Sequence, residues 1–234
     1  MTDSDRKATV EPQYSVLLTT EHRHGISKFG LMANESWNND PKRTLFTLAR
    51  YKFVAKMFSG KRNVLEVGCA DAFGTRLVQQ TVGEVSAIDI DQVFIDDIQE
   101  RYNPNWPLEF RTHDILKGPY RDAAFESAFA LDVLEHIPVA DEDIFLNNIK
   151  RSLLPNGVFI VGAPSLESQV HASPQSKIGH VNCKSGESLR ELMERHFEQV
   201  FMFSMNDETV HTGFLPMAHY LLALCVGCRP ECTP

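Results

Sequence analysis

The sequence predicts an α/β protein built on an open, mostly parallel sheet, and three observations carry that expectation. Short apolar runs recur along the chain, each ends on polar or acidic residues, and segments of helical periodicity separate them. Strands buried on both faces of a sheet are near-continuous apolar runs, and parallel strands need long, usually helical, connections. The first run, Val64, Leu65 and Val67, carries Glu66 two residues before Gly68, and residues 68–74 then turn tightly into a helix starting near Thr75. Gly68, Cys69, Ala70 and Gly74 keep this loop small, which lets a ligand approach the backbone closely.

The later runs end in residues suited to one ligand. Residues 85–88 stop at Asp89, 21 residues after Gly68, where a carboxylate can accept hydrogen bonds from both hydroxyls of a ribose. Residues 110–113 lead to Asp114 and Ile115, a carboxylate and an apolar side chain fit for an adenine amino group and ring face. Residues 127–131 form the fourth strand, followed by Asp132, Val133, Leu134, Glu135 and His136 at the end of the sheet where ligands sit. A dinucleotide loop has the spacing G-x-G-x-x-G, whereas three residues separate Ala70 from Gly74 here. That spacing favours S-adenosylmethionine (SAM) over NAD; a tight strand-to-helix turn without a ligand is the alternative.

The remaining segments follow in order. Residues 41–58 read as a helix with Asp40 as N-cap, Pro41 in the first turn and an apolar face of Leu45, Leu48, Ala49, Phe53, Ala55, Met57 and Phe58. His22, His24 and Trp37 lie ahead of it in a polar stretch expected to form a lid or cap, and residues 1–12 are expected to be disordered. Residues 141–154 read as a helix ending at Pro155-Asn156-Gly157, residues 158–163 as the fifth strand, and residues 164–185 as a long polar loop with His171, Lys177 and His180. Residues 186–196 are helical, and residues 197–204 and 219–227 supply the sixth and seventh strands.

With these motifs in place, the chain resembles the class I SAM-dependent methyltransferases over roughly residues 60 to 227. The resemblance implies a Rossmann-like, seven-stranded, mostly parallel sheet with helices on both faces and the last strand antiparallel. It divides the chain into an N-terminal segment with a helical cap, residues 1–59, and one methyltransferase unit, residues 60–234. It also implies that Glu66, Gly68, Cys69 and Ala70 line the methionine part of SAM, Asp89 and Ile90 the ribose and adenine, Asp114 and Ile115 the adenine edge, and that Leu131 lies under the cofactor. Ala70 departs from the glycine usual in that family at its position, a methyl group that can narrow the pocket.

Composition bounds the partners. At 234 residues and 43% hydrophobic, the chain suffices for one sizeable core rather than two domains. No apolar run reaches the roughly 18–20 residues of a membrane span, and the polar start does not read as a signal peptide, so a cytoplasmic protein without stable membrane insertion is expected. A net charge of −8 speaks against a nucleic-acid footprint and for a small-molecule acceptor. Lys42, Arg43, Arg50, Lys52 and Lys56 form a local basic excess that either meets the phosphate of a nucleotide-linked acceptor or forms a solvated helix face. Five cysteines suit free thiols; Cys225, Cys228 and Cys232 have a zinc-like spacing but no second pair to complete four ligands. Oligomeric state is left open.

Methyl transfer to a hydroxyl needs a base, and His136 and His180 are the candidates near neutral pH. Asp132, Glu135 and His136 are also a set that can hold Mg2+ or another divalent metal, with first-turn helix capping as the alternative. A comparable arrangement occurs in the ubiquinone-type O-methyltransferases, which this segment resembles. The long N-terminal segment and the run from Gly179 to Ser185 resemble methyltransferases of bacterial surface-polysaccharide (capsule) biosynthesis, which implies O-methylation of a sugar hydroxyl or a phosphorus-containing group. A quinone or phenol O-methyltransferase, a non-catalytic SAM-binding subunit and an NAD-dependent oxidoreductase are the competing readings.

Overall fold

The computed structural model describes residues 8–230. Helices α1 (Ser15–His24), α2 (Leu31–Asn39) and α3 (Lys42–Met57) precede β1 (Asn63–Val67), α4 (Thr75–Gln79), β2 (Glu84–Asp89), α5 (Gln92–Glu100), β3 (Glu109–Thr112) and β4 (Phe125–Leu131). Then come α6 (Glu142–Ser152), β5 (Leu153–Pro164), α7 (Pro174–Gly179), α8 (Gly186–His196), β6 (Phe197–Asn206), β7 (Thr209–His211) and β8 (Tyr220–Cys228). The strands form one sheet in the order β3-β2-β1-β4-β5-β8-β6-β7. β3 to β5 run parallel, and β8 is antiparallel between β5 and β6.

The sheet thus has eight strands rather than the seven expected. All seven expected strands are present, and the additional one, β7, is a three-residue edge strand that returns antiparallel along β6. Its turn is Asp207-Glu208, with Asp207 in the left-handed region at φ 49°, the conformation that two-residue hairpin turns favour. Three polar-flanked residues carry no apolar run, so nothing in the sequence marked them.

Two further expectations change in detail. Residues 155–157 do not form a separate turn but belong to the irregular start of β5, where the register to β4 shifts between Phe125 and Ser127. The loop 164–185 contains a 3-10 turn at Glu167–His171 and the short α7. Of the residues expected to be disordered, 1–7 lie outside the described residues, as does Cys232, while Pro12–Tyr14 forms a 3-10 turn.

Period-2 alternation assigns the strand side chains to two cores. Leu65, Val67, Ala128, Ala130, Phe159 and Val161 pack on one side with Phe145, Leu146 and Ile149 of α6 and Leu189 and Met193 of α8. Val64, Val85, Phe129, Leu131 and Ile160 pack on the other with Phe53 and Val54 of α3, Phe58, and Val78 of α4. Side chains as completely buried as Phe58, Phe129, Phe145 and Phe159 each stabilise the fold by about 1.5–3 kcal/mol. The buried face of α3 is Thr44, Tyr51, Phe53, Val54 and Ala55, whereas Leu45 and Met57, expected on it, point outward. The expected Asp40 cap is not made either; its carboxylate stands 4.0 Å from Lys42.

The strand order reverses between β1 and β4, and the carboxyl ends of these two central strands open the crevice in which an α/β sheet takes a ligand. Among the described residues, no helix is long and apolar enough to cross a membrane.

Candidate active site

A cavity of about 830 Å³ lies over the carboxyl ends of β1, β2 and β4, within the range of small-molecule sites. Gly68, Cys69, Ala70, Asp89, Ile90, Asp114, Ile115 and Leu131 all stand on its wall. The loop after β1 is held in place by its backbone, since the N–H groups of Gly68 and Cys69 both donate to the Ile88 carbonyl at 2.8 and 3.1 Å. Gly68, Ala70 and Ala72 have φ of 76°, 44° and 52°, so the chain passes through the left-handed region three times in five residues. Glycine suits the first position; a Cβ there would run into Cγ2 of Val133.

Asp89 ties this loop to the next strand. Its Oδ2 accepts from the Ala70 N–H at 2.8 Å and its Oδ1 from the Asp91 N–H at 2.9 Å. Each carboxylate oxygen has a further lone pair, enough for two hydroxyls of a ribose. Asp114 accepts from the Leu116 N–H at 3.0 Å, capping the 3-10 turn that presents Ile115. Small residues at the loop, two carboxylates at successive strand ends and apolar Ile90, Ile115 and Leu131 between them fit the amino-acid, ribose and adenine parts of SAM.

Glu66 does not reach this wall. It is 1% exposed, accepting from the Tyr51 hydroxyl at 2.8 Å and the Thr75 hydroxyl at 2.6 Å. Burial pushes its carboxyl up to about 8, against the opposing effect of these two hydrogen bonds. In the structure Glu66 therefore joins α3 to the helix after the loop.

Helix α2 contributes Met32, Ala33 and Ser36 to the cavity wall. It buries none of its own residues and is held by its N-terminus, where Ala33 N–H donates to Asp71 at 2.7 Å and Leu31 N–H to Asp97 at 3.3 Å. Two carboxylates at a helix N-terminus complement its dipole. Phe29, just before α2, packs between Trp37 and Phe73 at ring distances of 5.3 and 5.2 Å, and His24 lies 5.4 Å from Trp106.

The other end of the cavity holds Asp132, Glu135, His136, His180, Arg50 and Tyr220. Glu135 and His136 lie on the 3-10 turn Leu134–His136, and neither caps it. Glu135 is 1% exposed, and its Oε2 finds no hydrogen-bond partner among the described residues. Burial, and then the charge of Asp132, raise its carboxyl well above the usual range. The run from Gly179 to Ser185 is fastened to this turn: Val181 and Asn182 N–H both donate to the Glu135 carbonyl at 2.9 and 3.0 Å, and the Asn182 amide donates to Ile137 O at 2.9 Å and Glu142 at 2.6 Å. This fastening sets His180 beside His136, ring centres 5.4 Å apart. Burial and the neighbouring His136 hold the His180 pKa below its ordinary value.

Both imidazoles have their tautomer fixed. His136 Nδ1 meets the Gly179 carbonyl at 2.9 Å and His180 Nδ1 meets Gln169 Oε1 at 2.8 Å. The Gln169 amide is oriented by its Nε2, which donates to the Ser165 carbonyl at 3.0 Å. Both acceptors oblige Nδ1 to carry the proton, which leaves each Nε2 with an open lone pair.

Asp132 is placed differently from its expected companions. Both its oxygens accept from Arg50 at 2.6 and 2.8 Å, and the Arg50 guanidinium lies 3.7 Å above the Tyr220 ring. The donor group that comes together is Glu135, His136 and His180, with one ligand atom of each within 4.8 Å of the others. Cys225 and Cys228 sit on β8 as free thiols outside any such group among the described residues. Sequence reasoning had flagged Arg50 only as part of a basic excess and had missed Tyr51, Asp71, Gln169 and Asn182, whose contacts with Glu66, Ala33, His180 and Glu142 span 11 to 40 residues of sequence.

Residues 65–161 match the family model described as a methyltransferase domain. A protein of Mycolicibacterium smegmatis described as a probable S-adenosylmethionine-dependent methyltransferase is 30% identical over 115 residues, 49% of this chain and 42% of that one. The chain spans less than half the length of the curated relatives it matches. The N-methyltransferase NodS from Bradyrhizobium japonicum, solved with S-adenosylhomocysteine, superposes with a TM-score of 0.58 at 18% identity, covering 82% of this chain and 90% of that one. A TehB-like SAM-dependent methyltransferase from Corynebacterium glutamicum gives 0.61 at 16% identity over 84% and 96%. At such identities the structures establish a shared fold, and the matched segment contains the loop and the strand ends that form the cavity. The chain therefore shares the fold of SAM-dependent methyltransferases, and its residues 65–161 are similar to a methyltransferase domain.

Proposed function

We propose that the protein transfers a methyl group from SAM to an oxygen of a small polar acceptor, a sugar hydroxyl or a phosphorus-containing group attached to a nucleotide or lipid carrier. Gly68, Cys69, Ala70, Asp89, Ile90, Asp114, Ile115 and Leu131 would hold the cofactor, which when bound supplies an electrophilic sulfonium methyl. The chain's own work is then to align the acceptor oxygen with that methyl, exclude water and take up a proton. The observation that carries the oxygen reading is the cluster Glu135, His136 and His180 at the acceptor end, with two imidazole Nε2 atoms open to receive a proton. Net charge favours a small acceptor over a nucleic acid.

A second reading, methylation of a lipophilic phenol or quinone, draws on one feature. The segment whose Gln169, His171 and Ser176 line the cavity also presents Leu166, Val170, Ile178 and Val181 to solvent. Incubation with methyl-labelled SAM and three acceptor panels, nucleotide-linked sugars, phosphorylated sugars and catechols, separates the two. The oxygen reading expects an O-methyl product whose formation falls at least tenfold in H136A or H180A; a product methylated on nitrogen or carbon would refute it.

A further inference from the structure

We propose that the acceptor end of the cavity carries a subsite for a phosphate group of the acceptor, anchored by Arg50, with Asp132 and Tyr220 holding that anchor and Thr47 and Arg43 beside it. It rests on the acceptor reading above and names the group by which such an acceptor is held. Arg50 makes both of its bonds to Asp132 from a single nitrogen, Nη1, at 2.8 and 2.6 Å. A guanidinium carries N–H donors on two edges, and the second edge, Nε with Nη2, makes no hydrogen bond among the described residues. The Tyr220 hydroxyl, on a residue with 0% exposure, is likewise without a partner among them. Both side chains stand on the cavity wall, and the guanidinium lies 3.7 Å above the Tyr220 ring. Buried donors left unmade are costly, yet two adjoining side chains keep one each. Each still has a hydrogen to give, so the group that completes them is an acceptor, and the Nε–Nη2 edge matches two oxygens of an oxyanion.

The backbone is strained where it delivers the carboxylate. Asp132, the first residue after β4, has φ 57°, and its N–H donates to the Gly162 carbonyl at 2.9 Å. A non-glycine residue in that region persists only when its surroundings hold it there, and such strain gathers at functional sites. With Nη1 fixed by Asp132 and one face covered by Tyr220, the remaining edge of Arg50 is the side left to a ligand. Phosphate is favoured over carboxylate by what surrounds that edge. Arg43, Thr47 and Arg50 recur at i, i+4 and i+7 along α3, which places them on one face, and all three line the cavity. Arg43 is exposed, and its contact with Glu35 is a loose 3.6 Å surface pair, so its charge is available to a ligand. A carboxylate fills a single fork, whereas a phosphate has further oxygens and charge for the hydroxyl of Thr47 and a second cation.

The test uses neither SAM nor a methylated product, so the subsite and the methyl-transfer reading fail separately. Full-length protein labelled with 13C and 15N is titrated with inorganic phosphate and, separately, with acetate at the same ionic strength. The arginine Nε–H resonances are followed after assignment through the backbone. A saturable shift of the Arg50 resonance with phosphate is expected, with acetate binding at least tenfold more weakly. The phosphate Kd is expected to rise at least tenfold in R50K, read at Arg43, and at least threefold in Y220F and in R43Q, read at Arg50. An Arg50 that only joins α3 to β4 through Asp132 would show no such response. An unmoved Arg50 resonance, an acetate Kd within threefold of that for phosphate, or a phosphate Kd unchanged in Y220F and R43Q overturns the proposal. Y220F and R43Q leave the pair of Arg50 with Asp132 in place, so the test stands even if R50K does not fold.

Discussion

Replacing Asp89 by alanine removes the side chain that ties the loop after β1 to the end of β2 and that is proposed to bind the ribose. Its two oxygens already accept from Ala70 and Asp91 N–H at 2.8 and 2.9 Å, and their remaining lone pairs are the acceptors offered to a ribose. Hydrogen bonds to a charged group contribute about 1.5–3 kcal/mol each, so two of them amount to about 3–6 kcal/mol of binding. Even the lower figure is more than a hundredfold in Kd. The loop also suffers, because the N–H groups of Ala70 and Asp91 lose their partners at a cost of about 1–3 kcal/mol for each that is shielded from water. Asp89→Asn, which keeps one acceptor oxygen, is expected to fall between wild type and alanine. The assay is calorimetric titration with S-adenosylhomocysteine, with circular dichroism to show that each variant is folded. A folded D89A protein with a Kd within threefold of wild type would refute the placement of the ribose.

The loop makes opposite predictions at two neighbouring positions. Gly68→Ala adds a left-handed alanine and a clash with Val133 and is expected to cost about 2–5 kcal/mol in denaturant titrations, whereas Ala70→Gly relieves a left-handed alanine at φ 44° and is expected to be neutral or stabilising by up to about 1 kcal/mol. If both variants shift the midpoint in the same direction by similar amounts, the loop geometry is wrong. For Glu66, a folded-state pKa raised from 4.5 to about 8 means that the folded protein binds this proton more tightly than the unfolded chain. Its contribution is therefore complete below about pH 4.5 and lost as the pH rises through about 8, a change of a few kcal/mol. Chemical denaturation from pH 5 to 9 should show stability falling more steeply for wild type than for Glu66→Gln; parallel curves would contradict the buried carboxyl.

Legibility in the sequence followed locality. β1, β2 and β4 could be read because burial makes them near-continuous apolar runs, and two ends could be read because Gly68 follows β1 directly and Asp89 closes β2, whereas β3, with no buried residue, was marked only by Phe110 and the Asp114-Ile115 pair after it. β7 could not, having three residues and no apolar pattern. The seat of Glu66 was available in principle: with period 2 it shares a face with Val64, which packs under α3, and so points at Tyr51 rather than out of the strand end. The acceptor end was half visible. Glu135 and His136 were named from their place after β4, but which acid would join them depended on Arg50, 82 residues away from Asp132, and on Asn182, which fastens the His180 loop 40 residues from its Glu142 partner. Pairings at that separation leave no mark in local pattern.

The central claim is that the cavity over β1 and β2 takes SAM. Calorimetric titration of the wild-type protein with SAM and S-adenosylhomocysteine, against NADH, tests it most directly. Saturable binding of the first two at one site per chain, lost in D89A, with no heat from NADH, is the predicted result; binding of NADH in their place would contradict it.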